Sequence, residues 1–368
     1  MKPKTKFLIV AALALLAFVL GFVFLRGPTP HIVIAAEELF SVGPVKVTNT
    51  MVTSWVIVAL IIVFVVLVTR RWTLVPSGRL QGLVEAGLEA FYNLVVSIAG
   101  EKNGRRFFPV VGTIFLYVLI SNWLSLTPVF NVIGFQHEAD HGVVMERTEI
   151  GPLDVAYVPL SNPGSLSGET IDEDDPEAHE KAEQAREEGK FVGELLPLFR
   201  GVNTDLNTPL ALAIASAIAV EFWGVSTLGL FTYGKKFFAF GTLFRGITRF
   251  KPGLVFQGII DAFVGLLELI SETVRLVSFT FRLFGNMFAG EVVILMFTFL
   301  TPIMLTLAFY GLEIFVGLIQ AFIFSMLTLV FAVMAVSHAE HEAHGAREGA
   351  EGAHGHEEGA REGLAPTG

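Results

Sequence analysis

Gly253-LVFQGIIDAFVGLLELISETVRLVSFTFRLFGNMFAGEVVILMFTF-Leu300 is the stretch whose reading decides the fold. It runs 48 residues without a proline, and an unbroken helix of that length spans about 70 Å at about 1.5 Å per residue. That is over twice the roughly 30 Å of a bilayer's hydrocarbon core, so the segment either breaks or lies strongly tilted. Within it sit Asp261, Glu268, Glu272, Arg275, Arg282 and Glu291. A charge at the bilayer centre costs at least about 2.5 to 3.5 kcal/mol, so six acquired by accident are not expected. Asp261, Glu268, Arg275 and Arg282 recur every seven residues. Such a repeat drifts only about 20° per step around a helix, which makes one polar stripe. Glu291 lies nine residues past Arg282, roughly 180° around at about 100° per residue, and cannot pair with it on a regular helix.

Thr301-Pro302 then marks a turn into a further apolar stretch, Ile303 to Val336, which carries Glu313 and Gln320 on one face. A hairpin there sets the two helices antiparallel, with Glu313 near the level of Glu291 and Gln320 nearer that of Arg282. The residues alone leave two readings open. The polar groups form a path, or they pair merely to lower their burial cost, Glu291 sharing a proton with Glu313 and Arg275 held by Glu268 or Glu272.

Working outward, other runs of about 20 apolar residues mark membrane-spanning helices: Phe7 to Leu25, Met51 to Thr69, Phe107 to Val129 and Leu210 to Thr232. Between the second and third, Leu80, Leu83, Val84, Leu88, Phe91, Leu94 and Val95 recur near helical spacing, with Glu85, Glu89 and Asn93 in the gaps. Arg79 to Gly100 therefore reads as an amphipathic surface helix. The fold class expected is an all-α membrane protein of five to six hydrophobic segments plus that surface helix, closed by a long tilted intramembrane helical hairpin.

Composition agrees, because 53% of the 368 residues are apolar and 16% are charged, where soluble domains average about a quarter charged. Phe outnumbers Tyr and Trp, 34 against 5 and 4, which suits lipid contact. The net charge of −10 is unevenly spread. Gly134 to Arg200 holds 16 acids against 5 basic residues, net −11, and Ser337 to Gly368 is net −5, so the remaining body is +6. Its Lys and Arg cluster before the first span, at Arg70 to Arg106, and at Lys235 to Lys251. The positive-inside rule puts these clusters and both termini in the cytoplasm and the acidic insert outside, in the cell membrane.

Residues 1–26 read as a retained anchor, with a cleaved signal as the alternative; the 19-residue apolar run is long for a signal core and no A-x-A site follows Leu25. Residues 27–336 form the core, including the external insert 134–200, and 337–368 a disordered cytoplasmic tail rich in His and Glu. The insert reads as a solvated loop with a short charged helix within Glu177 to Lys190. Its run Ile171-Asp-Glu-Asp-Asp-Pro-Glu177 lacks the Gly and spaced Glu of a calcium loop. Five of nine His lie in the tail, without His-Glu-x-x-His spacing. The absence of Cys excludes thiolate chemistry. There is no G-x-x-x-x-G-K-[ST] motif of a phosphate-binding loop.

Arg282-Leu-Phe-Gly-Asn-Met-Phe-Ala-Gly-Glu291 closely resembles the a subunit of the F-type ATP synthase. Leu318-Ile-Gln-Ala-Phe-Ile-Phe-Ser-Met-Leu-Thr328 looks like that family's last helix, Thr204-Asp-Leu-Asn-Thr-Pro-Leu-Ala211 like the start of its fourth segment, and Asn122 with Pro128 is similar to its third. The resemblance covers roughly residues 45 to 336. It implies a stator of the Fo sector whose two half-channels pass protons to and from a rotating c-ring and so couple proton flow to ATP synthesis, with no enzymatic activity or cofactor of its own. Arg282 would be the essential arginine facing the ring carboxylates, Glu291 and Glu313 the outer half-channel relay, Gln320 and Asn286 polar neighbours of the arginine, and Glu268 and Ser271 the inner half-channel. The implied partners are the c-ring, the peripheral-stalk b subunits, the remaining F1Fo subunits and the bilayer, with H+ as the ion and no nucleic acid. Ser125 and Phe331 depart from the family, standing where some relatives have an acid and a Tyr. The competing class, another proton-coupled transporter, calls for inverted repeats and Gly- or Pro-broken spans in both halves, which the sequence does not display.

Overall fold

The computed structural model describes residues 34–70, 78–127, 133–150, 153–158, 176–237, 240–248, 252–300 and 304–362, with a few isolated positions besides. Most of the first apolar run, the four acids 172–175 and the Thr301-Pro302 turn lie outside the described residues. A short hairpin, β1 (Glu38–Val42) and β2 (Val45–Thr48), leads into α1 (Asn49–Thr69). Thr48 caps that helix by accepting from the Met51 amide, which satisfies one of the free N–H groups of a first turn.

Next comes α2 (Arg79–Ser125), interrupted at Gly100, whose φ of 74° and ψ of 164° lie outside the helical region. Only glycine adopts such a backbone without penalty, so the amphipathic segment and the third apolar run are two helices meeting at a corner. The acidic insert follows as β3 (Gly134–Ile150), β4 (Leu153–Tyr157), β5 (Thr170–Ile171), α3 (Ala178–Glu187) and β6 (Phe191–Pro197). A 3-10 turn, Val202–Thr204, precedes α4 (Asn207–Leu228), α5 (Leu230–Phe237), α6 (Phe240–Thr248), α7 (Pro252–Leu300) and α8 (Met304–Glu362).

Among the described residues, five helices are long and apolar enough to cross a membrane: Asn49–Thr69, Arg79–Ser125, Asn207–Thr227, Pro252–Leu300 and Leu305–Ser337. The chain is an all-α membrane protein in its body. The 49 residues of α7 are helical throughout, which removes a break as the answer to its length and leaves an oblique course. The last helix also runs beyond Ser337, where composition predicts disorder, to Glu362; the Ala and Glu of that stretch favour helix by propensity.

The insert differs from the solvated loop expected of it. β3 is the centre of an antiparallel sheet, bonded to β4, β5 and β6. On one face α3 buries Ala178, Ala182 and Ala185 against Val144, Ile171 and Val192. Gly134 and Gly193 are required where β3 and β6 meet, because a Cβ at either would collide with the Leu196 or His137 carbonyl. The short charged helix is present as α3.

Two compact units divide the chain. The first, residues 1–71, 117–208 and 282–321, holds the hairpin, α1, the insert and the polar layer described below. The second, residues 72–116, 209–281 and 322–368, has an apolar core of Val95, Phe107, Val111, Val220, Trp223, Leu329, Ala332, Ala335 and Val336. Phe107 packs on Trp223 at 4.5 Å between ring centroids, and Ser216 shares a buried 2.8 Å hydrogen bond with Thr328.

Candidate functional site

In the first unit, α7 and α8 meet through side chains that step outward in opposite directions, as antiparallel neighbours must. Asn286 donates from Nδ2 to Gln320 Oε1 at 2.8 Å. Glu313 then lies against Gly290, its carboxylate occupying the space a Cβ there would need. Beyond these, Phe297 stacks on Phe309 at 4.3 Å. Gly290 is thus the notch in α7 that admits the Glu313 carboxylate beside Glu291. Arg282 is half-buried, four residues before Asn286 and hence on the same helix face.

Glu291 faces Arg200, with 4.0 Å between Arg200 Nε and Glu291 Oε2 and side chains only 6% and 14% exposed. Arg200 is held by its backbone N–H, which donates to Thr53 Oγ1 at 3.3 Å, and by Nη1, which donates to the Ala35 carbonyl at 2.8 Å. A guanidinium fixed in this way is a permanent positive charge, because Arg does not deprotonate in proteins. The sequence reading missed Arg200. The one signal it offered was a basic residue closing an otherwise acidic insert, just ahead of a span.

Further polar groups adjoin this layer within the same unit. Asn203 donates to Ser121 Oγ at 2.9 Å and to Asn122 Oδ1 at 2.7 Å, and Asn122 donates to the Gly317 carbonyl at 3.3 Å. Gly317 permits that approach, since an added Cβ would lie 3.1 Å from Asn122 Cβ. Trp123 Nε1 donates to the Ile314 carbonyl at 3.0 Å, and Thr50 Oγ1 to Asp205 at 2.9 Å. Ser125 is tied to its own helix, donating to the Asn122 carbonyl at 2.7 Å. Buried polar groups need partners, and these bonds link α1, α2 and the 3-10 turn to the segment of α8 that carries Glu313 and Gln320. Gln320 is 2% exposed.

A family model described as the ATP synthase A chain matches residues 51–333. The chain belongs to that family. Among relatives named ATP synthase subunit a, one from Moorella thermoacetica is 26% identical over 294 residues, covering 80% of this chain and 93% of that one. One from Gloeobacter violaceus is 29% identical over 305 residues, covering 80% and 89%. A relative from Bradyrhizobium named ATP synthase subunit a 2 is 27% identical, covering 80% and 91%.

As an ATP synthase A chain this is a multi-pass membrane protein and a component of a larger complex. The matched interval contains every site residue expected from the sequence, and the acidic insert lies inside it. The other two expected residues, Glu268 and Ser271, belong to the second unit, where Glu268 is half-buried and Ser271 exposed. Close by on α7, Arg275 Nη1 pairs with Glu272 at 2.8 Å. Its guanidinium carbon stands 3.8 Å from the centroid of the Phe331 ring, so this aromatic serves as a cation's cover.

Proposed function

We propose that the chain is the proton-channel stator of the Fo sector, passing protons to and from a c-ring through two half-channels. Arg282 is the fixed charge that faces the ring carboxylates. It cannot relay a proton, but it favours the ionised form of a carboxyl brought against it and blocks direct leakage between the half-channels. Glu291 and Glu313 take up and hand on protons on the outer side, with Asn286 and Gln320 beside the arginine, and Glu268 and Ser271 serve the inner side. The acidic insert lies outside the cell membrane, the basic loops and tail lie in the cytoplasm, and b subunits hold the stator fixed against the ring. Each proton crossing 100 mV supplies about 2.3 kcal/mol, so several are coupled to one ATP.

The observation that carries this reading is the convergence of acid and amide side chains from α7 and α8, Asn286 on Gln320 and Glu313 beside Gly290, in a chain of the ATP synthase A family. The test is Arg282→Ala in the assembled complex. Proton-driven ATP synthesis is abolished while subunit content is unchanged, and synthesis at the normal rate would refute the assignment.

A further inference from the structure

The 24 residues 228–251 join the Asn207–Thr227 span to the Pro252–Leu300 span within the second unit, outside the stretches that carry the family resemblance. Their charge has one sign. Lys235, Lys236, Arg245, Arg249 and Lys251 fall in this segment, and no Asp or Glu occurs between Glu221 and Asp261. Among those bases the apolar residues Phe240, Leu243, Phe244 and Ile247 recur at i, i+3, i+4 and i+7, the spacing of a single helical face. The interval is indeed helical, as α6.

The chain leaves that face uncovered. Phe244 is 71% exposed and Ile247 55%. Just past the helix Phe250 is 95% exposed at a φ of 48°, a left-handed backbone that a bulky residue adopts against its steric preference. Its N–H closes the turn by donating to the Ile247 carbonyl at 3.3 Å. The preceding helix fixes where the face stands. Tyr233 of α5 is buried with its ring on Gly224, where a Cβ would come within 2.5 Å of it. This pins α5 to the last turn of the α4 span. α6 begins three residues after α5 ends, and α7 begins two residues after Phe250, so the exposed face is tied at both ends to membrane-crossing helices.

We propose that α6 and Phe250 form a monotopic anchor that binds anionic phospholipid, with Phe244, Ile247 and Phe250 entering the acyl boundary and the five bases of the segment drawing in phosphate-bearing headgroups. An apolar helical face flanked by Lys and Arg lies in the plane of a bilayer interface, and each such base near an anionic leaflet strengthens the attraction about five-fold. Water is a poor neighbour for the three exposed apolar side chains, and a neutral leaflet accounts for them but leaves the five positive charges unanswered. Bound in this way, the segment sets the depth at which α7 begins. The anchor does not depend on the proton-carrying role proposed above.

The test uses the whole complex in vesicles of phosphatidylcholine and phosphatidylglycerol. Because this chain has no cysteine, Thr248→Cys, exposed and one turn past Phe244, gives it a single thiol for a fluorescent label once any cysteines of the other subunits are replaced. A quencher near the top of the phosphatidylglycerol acyl chain is about five-fold or more as effective as the same quencher on phosphatidylcholine. The preference fades at about 1 M salt, where charges are screened within about 3 Å. Replacing Lys235, Lys236, Arg249 and Lys251 by Gln brings the two lipids to parity while both still quench. Phe244→Ser with Phe250→Ser opens the label several-fold to aqueous iodide. The salt titration needs no further variant, so it decides the matter if either set fails to assemble. Equal quenching by the two lipids around the otherwise unaltered segment overturns the anchor. So does a label reached by iodide alone, which means the segment faces water, or one shielded from iodide and lipid alike, which means a protein covers it.

Discussion

Gly290→Ala puts the notch between α7 and α8 to a quantitative test. A methyl group at Gly290 would fall on the Glu313 carboxylate, with all three of its terminal atoms closer than the 3.0 Å that real Cβ contacts respect. Restoring ordinary contact moves that carboxylate by about 1 Å. The obstructed atoms are the end of a flexible side chain, so the fold absorbs the change and assembly continues. A displacement of about 1 Å at a reacting group can cost on the order of 100-fold in rate. Passive proton conduction through the F1-stripped complex is expected to fall between about 10- and 100-fold. Adding Glu313→Asp, which draws the carboxyl back by one methylene, returns part of the loss. The measurement is vesicle acidification under an imposed potassium diffusion potential, alongside quantification of each subunit. Normal conduction in an assembled Gly290→Ala complex would refute the reasoning, because it would mean that the Glu313 position carries no proton traffic.

Arg200→Ala leaves Glu291 facing a space from which a buried guanidinium has gone, a change that costs about 3 to 5 kcal/mol when a buried pair loses one member. Conduction and detergent stability of the complex both fall, Arg200→Lys retains more of each, and the Arg200→Gln, Glu291→Gln double variant is less impaired than additivity predicts. Gly193→Val drives a side chain into the His137 carbonyl and opens the β3–β6 ladder, and limited proteolysis of the insert is faster while proton conduction is retained.

How far the sequence could be read depended on whether each signal was periodic or pairwise. The long tilted helix followed from an apolar run without proline, and the corner of α2 from the point where the amphipathic pattern stops at Gly100. Both are local properties of backbone and spacing. The insert's sheet was hidden because β3 carries His137, Glu138, Asp140, Glu146, Arg147 and Glu149. Among the described residues, the strand positions buried in a cluster with α3 are Val144, Ile171 and Val192, too few for the alternation to stand out from a charged loop. Glu313 and Gln320 could be placed by counting from a turn. Arg200 could not, since nothing in its neighbourhood shows that a chain 91 positions later brings Glu291 to it.

The insert leaves the membrane body and returns to it through paired strands. Gly134 stands opposite Pro197, and Leu198 donates to the Ile133 carbonyl at 2.9 Å. Its two ends are therefore closed by the ladder rather than by the sequence between them, and lengthening a closed loop is cheap, about 0.6 kcal/mol per doubling. A foreign domain placed between β4 and β5 would hang from the subunit as a pendant, with its termini already brought together. The insert can thus acquire a reporter, an affinity handle or a natural elaboration of any length while the long apolar helices keep their register.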